Sequence, residues 1–291
     1  MHRKQITVIV IVLAISGYLY MQPVKGLMKP KTAKAAPGIV TTNRQVNTKI
    51  TVTDVSPAAK AAVGTGLSAR INDLEGQLKN ASSDAAKLDL QKQLAKQWDD
   101  DNQPAPAAFY YLEVARKENT FADWMDAGSH FNDAFKATQD TTVQPAFVVN
   151  AIEAFSSASK LQPDNLDAKT GLGTAYVNQT SLGMTDPNGG SPMQGIMLLL
   201  DVVKKEPANR SANLALGLFA MKSGQFEKAV ARFKTVIAQK PEVEPYFYLA
   251  ESYKQLGQKK EAIDAYQKCK EMIADPVVDQ KIDQYIKELK N

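Results

Sequence analysis

A helical pattern that returns after 33 residues limits this chain more than any other feature of its sequence. Residues 212–241 read ANLALGLFAMKSGQFEKAVARFKTVIAQKP, and residues 245–276 cover the same ground as PYFYLAESYKQLGQKKEAIDAYQKCKEMIADP. Leu216, Gly217, Gly224, Ala229 and Phe233 each meet a counterpart 33 positions on, at Leu249, Ala250, Gly257, Ala262 and Tyr266. Each copy holds two helical runs split by a glycine turn. A small residue in each run lets the two backbones approach, and an aromatic ring fills the space toward the next copy. One such hairpin alone leaves a face bare, so copies must stack. A stack of hairpins is an all-α body that offers surface rather than a reaction centre.

The same register extends upstream. Trp124-x2-Ala127-Gly128-x2-Phe131 is followed by Ala151-x3-Phe155, Ala158 and Pro163, with about eleven residues inserted around positions 136–146. Leu172-Gly173-x2-Tyr176 is followed by Gly195-x3-Leu199, Val202 and Pro207. About ten residues are inserted there, including the turn-forming run 186–192. These motifs resemble the tetratricopeptide repeat (TPR) family, whose first helix carries W-x2-L-G-x2-Y. The resemblance covers roughly residues 121–276 and implies a right-handed superhelix of antiparallel helix hairpins, with four repeats, the first two carrying insertions. In the fourth unit Lys259 replaces the usual aromatic and Ala274 the usual proline. Residues 277–291 place Val278, Ile282, Tyr285 and Leu289 on one face, the pattern of a capping helix.

The resemblance also implies a concave groove lined by five first-helix positions of each repeat. In the first unit these are Ala122, Met125, Ser129, Asn132 and Asp133, and in the second Asp167, Thr170, Thr174, Val177 and Asn178. The third contributes Ser211, Leu214, Leu218, Met221 and Lys222, and the fourth Glu244, Phe247, Glu251, Lys254 and Gln255. Met125, Asn132, Thr170, Asn178, Leu214, Leu218, Met221, Phe247, Glu251 and Lys254 form the candidate peptide groove. Its apolar members suit a helix or extended segment bearing apolar anchors. Packing on neighbouring helices competes evenly with exposure at Leu214, whereas Met221 and Phe247 are expected to be exposed. Met125, Leu214 and Ala215 stand where a clamp for a chaperone's C-terminal carboxylate needs polar or basic residues, so that mode is absent.

The N-terminus carries a second strong pattern. His2, Arg3 and Lys4 precede residues 6–21, ITVIVIVLAISGYLYM, which hold no charge. Residues 5–24 give about 20 positions, roughly 30 Å of helix, the thickness of a hydrocarbon core. Residues 1–24 are therefore expected to be an uncleaved transmembrane anchor contacting the lipid bilayer. A cleaved signal peptide and a buried helix are the competing readings. The expected topology is single-pass in a bacterial inner membrane with the C-terminal domain outside the cytoplasm, although Lys25, Lys29, Lys31 and Lys34 oppose that orientation. Residues 1–50 hold eight Lys or Arg and no acid, which leaves 27 of the 35 basic residues against all 31 acidic ones. The body of the chain thus has no basic bias, and nucleic acid is not expected as a partner.

Between anchor and repeats, residues 25–56 read as an extended linker, with Val46, Ile50 and Val52 alternating enough for a short strand. Helix resumes around Pro57. Leu67, Ile71, Leu74 and Leu78 lie on one helical face, and Leu88, Leu94 and Trp98 continue it. A coiled-coil stalk that dimerises through 57–100 competes with a hairpin packed on the first repeat. The heptad holds for barely two turns of the pattern, which favours the hairpin. Phe109, Tyr110 and Leu112 complete an N-terminal helical region over 57–120.

Catalytic chemistry is missing. The two histidines, His2 and His130, are far apart in sequence, and Cys269 sits at a small-residue core position. No His/Cys cluster fits zinc. Gly171 and Gly173 fall within a repeat helix rather than after a strand, so they are packing residues and not a nucleotide loop. Asp186 and Asn188 lack the remaining ligands of a calcium loop. Asp99 and Asp101 lie in a turn without an oriented partner. No cofactor or metal is expected. The sequence points to a membrane-anchored protein-interaction module, a scaffold or assembly factor of the bacterial envelope, with a protein or peptide segment as partner. The alternative is a structural subunit of a larger membrane-associated complex.

Overall fold

The computed structural model describes residues 48–184, 192–273 and 275–290. Every regular element among them is an α-helix. In chain order these are α1 (Val52–Val63), α2 (Thr65–Asn80), α3 (Asp84–Asp100), α4 (Pro104–Glu118), α5 (Phe121–Ala137), α6 (Gln144–Leu161) and α7 (Leu166–Ser181). There follow α8 (Pro192–Lys205), α9 (Arg210–Lys222), α10 (Phe226–Gln239), α11 (Val243–Gln255), α12 (Lys259–Met272) and α13 (Pro276–Lys290). Two compact units divide them at Ala215–Leu216, inside α9.

In the first unit each helix from α1 to α7 packs on its successor. In addition α4 meets α6, and α5 meets α7. Contacts between alternate helices are what stacked hairpins require, since first helices then lie on first helices and second on second. The core runs through Phe109, Phe131 and Phe147, with Phe109 edge-on to Phe131 at 5.1 Å between ring centres. A second cluster joins Ile71, Leu94, Trp98, Ala107 and Tyr110. In the other unit α10, α11, α12 and α13 pack in sequence.

The expectation of a transmembrane helix is corrected. No helix among the described residues is long and apolar enough to cross a membrane. The longest, α6, has 18 residues and mixes Asn150, Glu153 and Lys160 with its apolar side chains, as a helix with one solvated side must. The anchor assigned to residues 1–24 lies outside the described residues. The membrane-tethered type of repeat protein, bilayer contact through 5–24, the single-pass inner-membrane location and the envelope scaffold all rested on that segment, and none is carried forward. What stands is an all-α, TPR-like fold of paired helices.

Two local expectations also change. Helix starts at Val52 rather than near Pro57, because Thr51 and Asp54 cap it. The Asp54 carboxylate accepts from the Thr51 backbone N–H and from its hydroxyl, each at 2.8 Å. Val52 is therefore in a first helical turn and not in a strand. Over 57–100 the helices pack within the chain, as the favoured hairpin reading expects, and not as the competing coiled-coil stalk. Helices α2 and α3 pack on each other, α3 packs on α4, and Leu94 and Trp98 are fully buried.

Helix ends within the repeats follow the 33-residue period. Gly224 and Gly257 take φ of +73° and +71° just past α9 and α11. Gln225 N–H then reaches Ala220 O at 2.8 Å and Gln258 N–H reaches Tyr253 O at 2.9 Å. This closing turn needs a left-handed residue, which explains glycine at both places.

Candidate interaction surface

The seams between helices are set by missing side chains. A Cβ on Gly128 would meet the Phe155 ring at 2.8 Å, and one on Gly171 would meet the other edge of that ring at 2.3 Å. Gly173 and Gly195 face each other across the α7–α8 seam, and Gly217 lies under Phe233. Phe155 therefore wedges between α5 and α7, holding two successive first helices at a fixed spacing.

The upstream hairpin α3–α4 uses the same device. Leu94-Ala95-x2-Trp98 repeats the first-helix pattern, and Ala108-x3-Leu112-x2-Ala115 repeats the second. All six residues are buried. The repeat-like stacking thus begins about 30 residues before Trp124, a unit that sequence reasoning missed. Its signal was present but offset, since Ala95 and Ala108 are 13 apart where Gly217 and Ala229 are 12.

The candidate groove does not emerge as one open strip. Asn132 is buried, and its Nδ2 donates to Gly171 O at 3.3 Å. Thr170 is buried and donates to Leu166 O at 2.7 Å. Phe247, expected to be exposed, keeps only 2% of its surface and lies among Tyr248, Tyr266 and Tyr285 at 6.0–6.1 Å. Glu251 is buried and accepts from the Tyr266 hydroxyl, while Lys254 Nζ stands 3.6 Å away. Burial first, then the Glu251 charge, pushes the Tyr266 hydroxyl well above the usual phenol range. Met125, Asn178, Leu214, Leu218, Met221 and Lys254 are half-buried. Of the wider set, Ala122, Ser129, Asp133, Asp167, Ser211, Lys222 and Gln255 are exposed, and none is a large apolar residue.

The reason is geometric. The twelfth repeat position, taken as lining the groove, points along the stack toward the next first helix. Asn132 reaches the backbone of α7 from α5, and Lys254 reaches over the Tyr285 ring of α13 at 5.6 Å. In the last repeat α13 occupies the place of a following first helix. Its Tyr285 stacks on Tyr266 at 5.5 Å, while Ile282 is fully buried.

Exposed apolar surface appears elsewhere. Met193, Met197 and Leu200 keep 62%, 63% and 45% of their surface, and the spacing four then three puts them on one outer face of α8. The opposite face buries Gly195, Leu199 and Val202, as the repeat pattern requires. The readable signal was excess: MQGIMLLLDVV is apolar nearly all round, more than a helix with one buried face needs.

Among the described residues, His130, Tyr111 and Cys269 are engaged in structure. His130 Nδ1 lies 2.8 Å from Asp126 O and Nε2 2.9 Å from Asp99 Oδ1, with the ring 4.5 Å from that of Tyr111. Both nitrogens are taken, so neither is free to act as a base. Burial, reinforced by Asp99 and Asp126, pushes the Tyr111 hydroxyl up to about 12. Cys269 is buried against Val243 O, and burial pushes its thiol up to about 12. No group of three or more His, Cys, Asp or Glu among the described residues is placed to hold a metal ion. Residues 186 and 188 of the second insertion lie outside the described residues.

Comparison with known proteins agrees with this geometry. No curated protein matches the chain. Among solved structures, a thermophilic TPR protein from Thermus thermophilus aligns with a TM-score of 0.52 at 19% identity, covering 68% of this chain and 97% of that one. A tetratricopeptide repeat protein from Parabacteroides merdae gives 0.52 at 14% identity, covering 82% and 88% respectively. At such identities the likeness is one of fold. Residues 214–275 match the sequence profile of the tetratricopeptide repeat, so the chain is similar to TPR proteins by sequence in its last two repeats and by backbone well beyond them.

Proposed function

We propose that this chain is a non-catalytic protein-interaction scaffold that serves as a structural subunit of a larger complex. The observation that carries the reading is the exposed α8 face of Met193, Met197 and Leu200. A transient peptide receptor of this fold would keep its apolar anchors open on the first helices. Here Phe247 is buried, and the three exposed apolar side chains that share one face stand on a second helix instead. Flexible methionines adapt to a partner's shape, and each such side chain gains about 1.5–3 kcal/mol on full burial.

The test is the size of the native particle. In a gentle native extract the wild-type chain should run well above its own 31.8 kDa. A chain with Met193→Asp and Met197→Asp should run as the free protomer. A wild-type chain that runs at its own mass in that extract overturns the proposal.

Peptide docking on the first helices is a second reading. It is favoured by the half-burial of Leu218 and Met221 on α9. Under it, Met221→Asp alone would release the partner, while the α8 substitutions would not.

A further inference from the structure

We draw no further inference here: the strongest candidate, the apolar face that Met193, Met197 and Leu200 form on α8, belongs to the surface already proposed, and nothing in the structure shows what covers it.

Discussion

Where two helices meet at a glycine, the neighbour leaves no space for a methyl group. A Cβ on Gly195 would stand 2.7 Å from Tyr176 Cβ and 2.8 Å from Gly173 O, and backbone cannot step aside as a side chain can. Overpacking of this kind costs about 1–3 kcal/mol, against roughly 1 kcal/mol of helix propensity gained. Gly195→Ala should therefore lower the thermal midpoint. Gly76, inside α2, has nothing within 4 Å of a Cβ, so Gly76→Ala should raise stability by about 0.5–1 kcal/mol in the same circular-dichroism melts. Asp126 gives a pH-dependent counterpart. Its carboxyl is held above the ordinary range, chiefly by burial, with His130 opposing and Asp123 and Asp99 adding. The ionised form is thus the one the fold penalises. Stability from this group is full below about pH 4 and is lost as pH rises through the raised value. Because Asp126 is itself exposed, solvent screens much of this penalty: Asp126→Asn should melt only slightly above wild type at pH 7, and the two should converge below about pH 4. Convergence at neutral pH instead would mean that the site is as well hydrated as the unfolded chain. The raised Cys269 thiol predicts the matching chemical silence: alkylation in native buffer should be slow and should accelerate only on unfolding.

At the scale of helices, the exposed and buried readings of Phe247 make opposite predictions. An open groove would tolerate Phe247→Asp with helicity intact. A ring enclosed by Tyr248, Tyr266 and Tyr285 would not, because a carboxylate there is cut off from water, and the neighbouring Lys254 is already paired with the buried Glu251. We expect Phe247→Asp to cost about 3 kcal/mol or more and to remove helical signal on urea titration. The same contrast shows what could be read from residues alone. Gly217 under Phe233 and the turn glycines Gly224 and Gly257 were legible because each depends on contacts within about one repeat. The α3–α4 hairpin was not, since one extra residue shifts its register and Pro104 and Pro106 look like a break. In the fold they open α4, where a proline's missing N–H costs nothing. The start of α1 was misplaced for a related reason. Proline at position 57 reads as a first-turn residue, yet the Thr51–Asp54 cap sets the beginning five residues earlier. Burial of Asn132 and Phe247 was hidden because it depends on the following helix, which the pattern of a single repeat does not describe.

For the molecule as a whole, the decisive question is whether the outer face of α8 is bare in the isolated chain. Beyond residue 50 acids slightly outnumber bases, and among the described residues His130 and Cys269 are held in packing contacts. Association then falls to apolar surface, and its largest exposed side chains on one helix are Met193, Met197 and Leu200. Leu199 supplies an internal control, because it lies on the same helix and is fully buried. Leu199→Asp should strip cooperative unfolding from the purified chain. Met193→Asp together with Met197→Asp should leave the unfolding free energy within about 0.5 kcal/mol of wild type, as surface substitutions do. The double variant should also bind less of a hydrophobic dye in the native state. A double variant as unstable as Leu199→Asp would mean that another part of the chain already covers this face in solution. A structural subunit would then have no surface left on α8 to offer. Unchanged stability with reduced dye binding would leave a helix that carries more apolar area than its own fold can use, the condition under which a solenoid protein becomes part of something larger.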